Sequence, residues 1–138
     1  MTTRHKNKTL ATLFASVLGS IGLHRFYLYG QKDRWAWVHL LSLPLSGLAI
    51  ALFGNQPILI TFSPLLVSGL AAFIEALVIG LTPDDKWDAQ YNPESGRQSQ
   101  SDWPLALLLV LTVGVGAVAL IAIIARFFDL LYTGGAYG

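Results

Sequence analysis

The side chains with chemistry to offer are few. His24, Arg25, His39 and Glu75 stand in or beside long apolar stretches, and Glu75 is the single formal charge in the 80 residues that those stretches comprise. In a low-dielectric setting an acid beside a guanidinium and imidazoles has three uses. It can staple helices together, it can carry a proton or cation, or it can stay protonated or snorkel to the interface and do nothing further. We expect Glu75 to pair with Arg25, with His24 or His39 as secondary partners, because an unpaired ionised side chain in hydrocarbon costs a few kcal/mol. Enzymatic chemistry is not expected. The sequence has no Gly-x-Ser-x-Gly, phosphate loop or His-Glu-x-x-His, and His5, His24 and His39 lack metal-ligand spacing, so no catalytic, cofactor-binding or metal residue is assigned. With no cysteine in the 138 residues, disulfides and thiolate sites are excluded as well.

The elements that must position these groups are apolar runs: 15 residues from Thr9 to Leu23, 19 from Trp35 to Phe53, 25 from Pro57 to Leu81 and 21 from Leu105 to Ala125. Charged residues make up 12% of the chain, about half the usual share for a soluble domain. Nearly all lie outside the runs, which is the segregation a bilayer imposes. A soluble globule is ruled out, and the net charge of +1 with its basic residues flanking apolar runs gives no nucleic-acid partner. The expected fold class is an all-α membrane protein of three to four spans. It comprises a short N-terminal hydrophobic segment, a helical hairpin, an interfacial helix and a C-terminal transmembrane helix.

Crossing about 30 Å of hydrocarbon takes roughly 20 apolar residues, which the last three runs supply and the first does not. If the first segment spans, basic residues divide four against five between the two sides. If it dips in and returns, they divide eight against one, with Arg126 alone, and this bias favours the re-entrant form with the basic side cytoplasmic. A cleaved signal peptide ending near Gly22 would invert the bias.

Gly54-Asn55-Gln56 before Pro57 predicts a tight antiparallel hairpin, which puts His39 and Glu75 at similar depth on the side that also holds Arg25. Ser68, Ala71, Ala72 and Glu75 form one narrow small-residue stripe, and His39, Ser42 and Ser46 form a matching one, so a close helix-helix seam is expected there. Pro44 and Pro64 predict kinks inside their helices. Two further small faces, Ala11/Ala15/Gly19/Gly22 and Thr112/Gly116/Ala119, read as packing surfaces, the latter also as a possible homodimer or membrane-protein contact. Thr82-Pro83-Asp84-Asp85 starts a short helix through about Tyr91, expected to lie along the interface with Trp87 and Tyr91 at headgroup depth and Asp88 in water, and Asn92-Pro93 ends it. Residues 93–103 read as a flexible polar linker between a membrane domain (1–92) and a C-terminal helix and tail (104–138). Arg126 and Asp129, three apart, are expected to pair.

Lys6-Asn7-Lys8, an Ala/Ser/Gly-rich segment, and Gly19-x-x-Gly22-x-His24-Arg25-Phe26-Tyr27-Leu28 together resemble the TM2 domain family. Phe73-Ile74-Glu75 is similar to that family's acidic residue late in its last helix. Trp87-Asp88-Ala89-Gln90-Tyr91-Asn92 is similar to its closing Phe-Asp-x-x-Tyr-Asn pattern, with Trp in place of Phe. The chain departs from the pattern in Tyr29 before Gly30 and in a longer stretch from Leu41 to Leu66. The resemblance implies a small integral membrane protein of a bacterial cytoplasmic membrane, with no established biochemical activity. The expected role is a non-enzymatic helix-packing or partner-binding module. The alternative is a small ion- or proton-linked transporter subunit centred on Glu75.

Overall fold

A computed structural model describes residues 4–137. Regular structure among the described residues is all helical, with no strand: α1 (Lys8–Leu18), α2 (Leu23–Tyr29), α3 (Arg34–Phe53), α4 (Ile58–Thr61), α5 (Ser63–Leu81), α6 (Asp84–Tyr91) and α7 (Trp103–Thr133). Three of these, α3, α5 and α7, are long and apolar enough to cross a membrane.

α1 begins where the Asn7 side chain accepts from the Leu10 N–H, and its 11 residues extend only about 16 Å. A single 3-10 turn at Gly19–Ile21 then breaks it, Gly22 reverses the chain at φ 76°, and α2 returns alongside α1. Both ends of this unit lie together: Lys6 donates to the Leu28 carbonyl, and the Asn7 N–H donates to the Tyr27 hydroxyl at 2.8 Å. The first segment therefore folds back on itself instead of continuing as one long helix, which leaves three candidate spans.

α3 is one continuous helix across Pro44, and the turn after it is closed by the Gln56 N–H on the Phe53 carbonyl at 2.9 Å. The third apolar run is not a single kinked helix. It is interrupted at Phe62, so Pro64 falls in the first turn of α5, where a missing N–H removes no intrahelical bond. The expected kink inside a longer helix is thus replaced by a break between α4 and α5.

Packing is inverted relative to a soluble domain. Thr12, His24, His39, Ser42, Ser46, Ser68 and Thr112 are buried, while Val67, Ile74, Val78, Val110 and Ile121 face outward. Lipid is as apolar as leucine, so small and polar side chains gain most from the helix seams. α1 and the 3-10 turn pack against α5, α3 flanks that turn, and α7 lies against α5 and α1. The face of α7 read as a dimer contact is used within the chain: Thr112 meets Ser16 at 2.8 Å, and Gly116 sits against the ring of Phe73. The Ala11/Ala15 face is likewise filled, by Ala76, Ile79 and Leu28.

Trp87 corrects another expectation. Its ring is fully buried under the re-entrant unit among Ala11, Ala15, Leu28, Ala76 and Ile79, and its indole N–H donates to the Lys6 carbonyl at 3.1 Å. Spacing along α6 shows which residues share a face; it cannot show that α1 and α2 cover that face. Residues 93–102 are non-helical yet fastened. The Ser99 N–H and hydroxyl reach Asp88 at 2.6 Å each, and those of Ser101 reach Asp84 at 2.8 and 2.7 Å. These four hydrogen bonds tie down a stretch read as a flexible linker, and α7 is packed on the bundle rather than separate from it.

Candidate functional site

Close approach of the 3-10 turn to α3 and α5 builds the site. A Cβ on Gly22 would stand 2.7 Å from the Ala36 carbonyl oxygen and 2.8 Å from His39 Cβ, so both the left-handed backbone and the contact require glycine. Gly19 backs directly onto Ala72 of α5. This wedges the Ser20 carbonyl between two helices, where it accepts from Ser68 Oγ at 2.5 Å and lies 3.1 Å from Ser42 Oγ. The two small-residue stripes therefore meet through the turn as well as through each other.

At the start of α2, His24 and Arg25 are delivered to Glu75. The His24 Nε2–H donates to Glu75 Oε2, Arg25 Nη1 donates to Oε1 at 2.9 Å, and His39 Nε2 lies 3.7 Å from the same Oε1. Arg25 Nε also donates to Asp33 Oδ2 at 2.7 Å, and that carboxylate caps α3 by accepting from the Ala36 N–H at 3.2 Å. Hydrogen bonding from Arg25 holds the Asp33 carboxyl below its ordinary range. The two imidazoles stand edge to face, with centroids 5.6 Å apart. His39 Nδ1 meets Ser68 Oγ at 2.7 Å, whereas His24 Nδ1 is buried with no hydrogen-bond partner.

The other motif residues lie around this cluster. The Phe26 ring packs edge-on against Trp37 with centroids 5.4 Å apart, and that of Tyr27 packs against Phe14 at 5.6 Å. Asn92 is buried and accepts from the Lys6 N–H at 2.7 Å; Tyr91 shares a hydrogen bond with Tyr29 at 2.7 Å. Burial, with the Tyr29 contact, pushes the Tyr91 phenol up. Burial opposes the charged forms of Asp84 and Asp88. It is outweighed at Asp84 by hydrogen bonds from Lys8 and Ser101, and at Asp88 by those from Asn92 and Ser99, so both carboxyls stay below the ordinary range.

Three participants were not read from the sequence: the second carboxylate Asp33, the Ser20 carbonyl, and the Lys8–Asp84 ion pair. Asp33 had a signal, since it stands one residue before a basic helix start in the N-cap position. Nothing in the local pattern marked the other two. Nor did the sequence spacing indicate that His24, His39 and Glu75 each offer a ligand atom lying within 4.8 Å of the other two, 15 and 51 residues apart as His24 is from its partners.

Fold and site define an all-helical integral membrane protein in which a folded-back hairpin is fastened to two candidate spans by polar side chains in the seam. Over residues 4–53 the chain is similar to the TM2 domain family, whose model matches that stretch, which includes the hairpin and all of α3 together with His24, Arg25 and His39. Glu75 and residues 87–92 lie outside the matched stretch. Comparisons with curated proteins and with solved structures returned no match.

Proposed function

We propose that the protein is a non-enzymatic helix-packing and partner-binding module of a bacterial cytoplasmic membrane. The observation that carries this reading is the state of Glu75. One carboxylate oxygen is engaged by His24 and the other by Arg25, so these part-buried groups join α2 to α5. Part of the outward surface lies on α7, where Val110 and Val118 are exposed and no side chain stands within 4 Å of a Cβ built on Gly114. A glycine on an otherwise branched apolar face lets a second helix approach closely. The side bearing Arg4, Lys6, Lys8, Arg25, Lys32, Arg34, Lys86 and Arg97 is the cytoplasmic one, with Arg126 opposite. A photo-crosslinker at Val118 in native membranes is expected to yield a discrete protein adduct. Adducts with lipid alone would overturn the partner-binding reading.

A second reading, a proton- or cation-linked transporter subunit, is favoured by one observation. Glu75 lines two cavities: one of about 330 Å³ reaching His39, Ser42 and Ser68, and one of about 140 Å³ reaching Arg25, Tyr29 and Tyr91. Flux into proteoliposomes that is lost in Glu75→Gln would establish it in place of the first.

A further inference from the structure

We propose that His24, His39 and Glu75 form a binding site for a divalent transition-metal cation of the zinc class, an inference that goes beyond the packing role and does not depend on it. The argument starts from hydrogens. Ser68 has one hydroxyl hydrogen, and the 2.5 Å separation from the Ser20 carbonyl requires it to lie between those oxygens. Towards His39 Nδ1, 2.7 Å away, Ser68 Oγ can then only accept, so Nδ1 carries the hydrogen. With Nδ1 so occupied, His39 turns Nε2 toward Glu75 Oε1 at 3.7 Å, beyond a direct hydrogen bond and with room for a shared cation. A ligand imidazole held through its other N–H is the arrangement metal sites favour.

Charge and composition point the same way. Arg25 is one positive charge between two carboxylates, Asp33 and Glu75, so this part-buried cluster carries one negative charge over. Because Asp33 retains the guanidinium through Nε, Arg25 need not be displaced for Glu75 to accept an ion. Two imidazoles and a carboxylate are a donor set that zinc accepts, and in its tetrahedral geometry, with ligand distances of about 2.0–2.2 Å, ligand atoms stand ~3.4 Å apart. The three ligand atoms already lie within 4.8 Å of one another, so the widest separation need close by only ~1.5 Å. His24 supplies the remaining proton step. Its Nε2 proton, now on the Glu75 side, passes to Nδ1, which has no partner, or to solvent. The cavity of about 140 Å³ lined by His24, Arg25, Tyr29, Glu75 and Tyr91 provides a polar way in.

The test is metal uptake by the purified full chain in detergent, stripped with chelator and titrated with Co²⁺ as the spectroscopic probe, then with Zn²⁺ in competition. The absence of cysteine and the distant position of His5, bonded to Ser95 and Ser99, keep the background low. A saturable ligand-field absorbance at one equivalent per chain, displaced by Zn²⁺, is expected in the native chain and in His5→Ala. His24→Gln and His39→Gln should each weaken binding at least tenfold. Ser68→Ala touches no ligand atom of the ion, and should weaken it by about tenfold through His39. If the histidine variants lose helicity, Ser68→Ala at unchanged helicity decides. No uptake by the native chain, uptake undiminished in Ser68→Ala and the folded histidine variants, or uptake abolished by His5→Ala would each overturn the proposal.

Discussion

Removing one end of the Arg25–Glu75 pair leaves its partner charged and part-buried, a larger penalty than losing both together. Arg25→Gln and Glu75→Gln should therefore each destabilise the detergent-solubilised protein by ~1–3 kcal/mol, with the double variant less affected than the sum by about 1 kcal/mol or more. Thermal unfolding of the four-member cycle measures this, and simple additivity would mean that the pair is energetically inert. Gly22→Ala should cost ~1–3 kcal/mol, since it strains a φ of 76° and drives a methyl into Ala36 and His39. Gly47→Ala, with open space around it in mid-helix, should be neutral or slightly stabilising. At this scale the sequence marked Glu75, Arg25 and His39 because depth along antiparallel spans can be counted in residues. It named His24 or His39 as a secondary partner but could not show that both converge on Glu75, which depends on a 3-10 turn whose backbone no hydrophobic pattern encodes.

Among the elements, α6 and residues 93–102 depend on two carboxylates whose folded-state pKa values lie below ordinary. The sign follows from linkage. Stability from such groups is present above the unfolded carboxylate range and is lost as pH falls through the lower folded values. The Ser99 and Ser101 amides, which donate to Asp88 and Asp84, should show hydrogen-exchange protection at neutral pH. Their protection factors, taken against the intrinsic rate at each pH, should collapse below about pH 4. Protection persisting to pH 2 would show that other contacts hold this stretch. Lengths of the apolar runs revealed α3, α5 and α7, since about 30 Å of hydrocarbon sets a minimum that the first run misses. The break at Phe62 was concealed because proline inside an apolar run is equally compatible with a kink and a fresh helix start. The serine-rich stretch looked free because its partners are acids on another element, and its lack of apolar residues says nothing about hydrogen bonds.

For the molecule as a whole, the outward apolar and inward polar surfaces identify lipid as the surrounding solvent. Within it, the re-entrant hairpin is the feature on which the site depends: were the first segment to span, Arg25 and His24 would be delivered to Glu75 from a different direction and the 3-10 turn would leave the seam. Sequence charge bias already separated the two topologies, eight basic residues against one for the returning form, whereas the burial of Trp87 beneath that hairpin is a tertiary fact with no local signature. α7, at 31 residues and about 46 Å, exceeds the hydrocarbon thickness and must tilt or protrude. Because the chain has no cysteine, single cysteines at Arg4, Lys32 and Gln56, all exposed, report topology against an empty background. The decisive measurement is labelling of these variants with an impermeant thiol reagent in sealed vesicles of known orientation. Arg4→Cys and Lys32→Cys should react from one face and Gln56→Cys from the other; Arg4→Cys and Lys32→Cys reacting from opposite faces would contradict the returning hairpin and the site built on it.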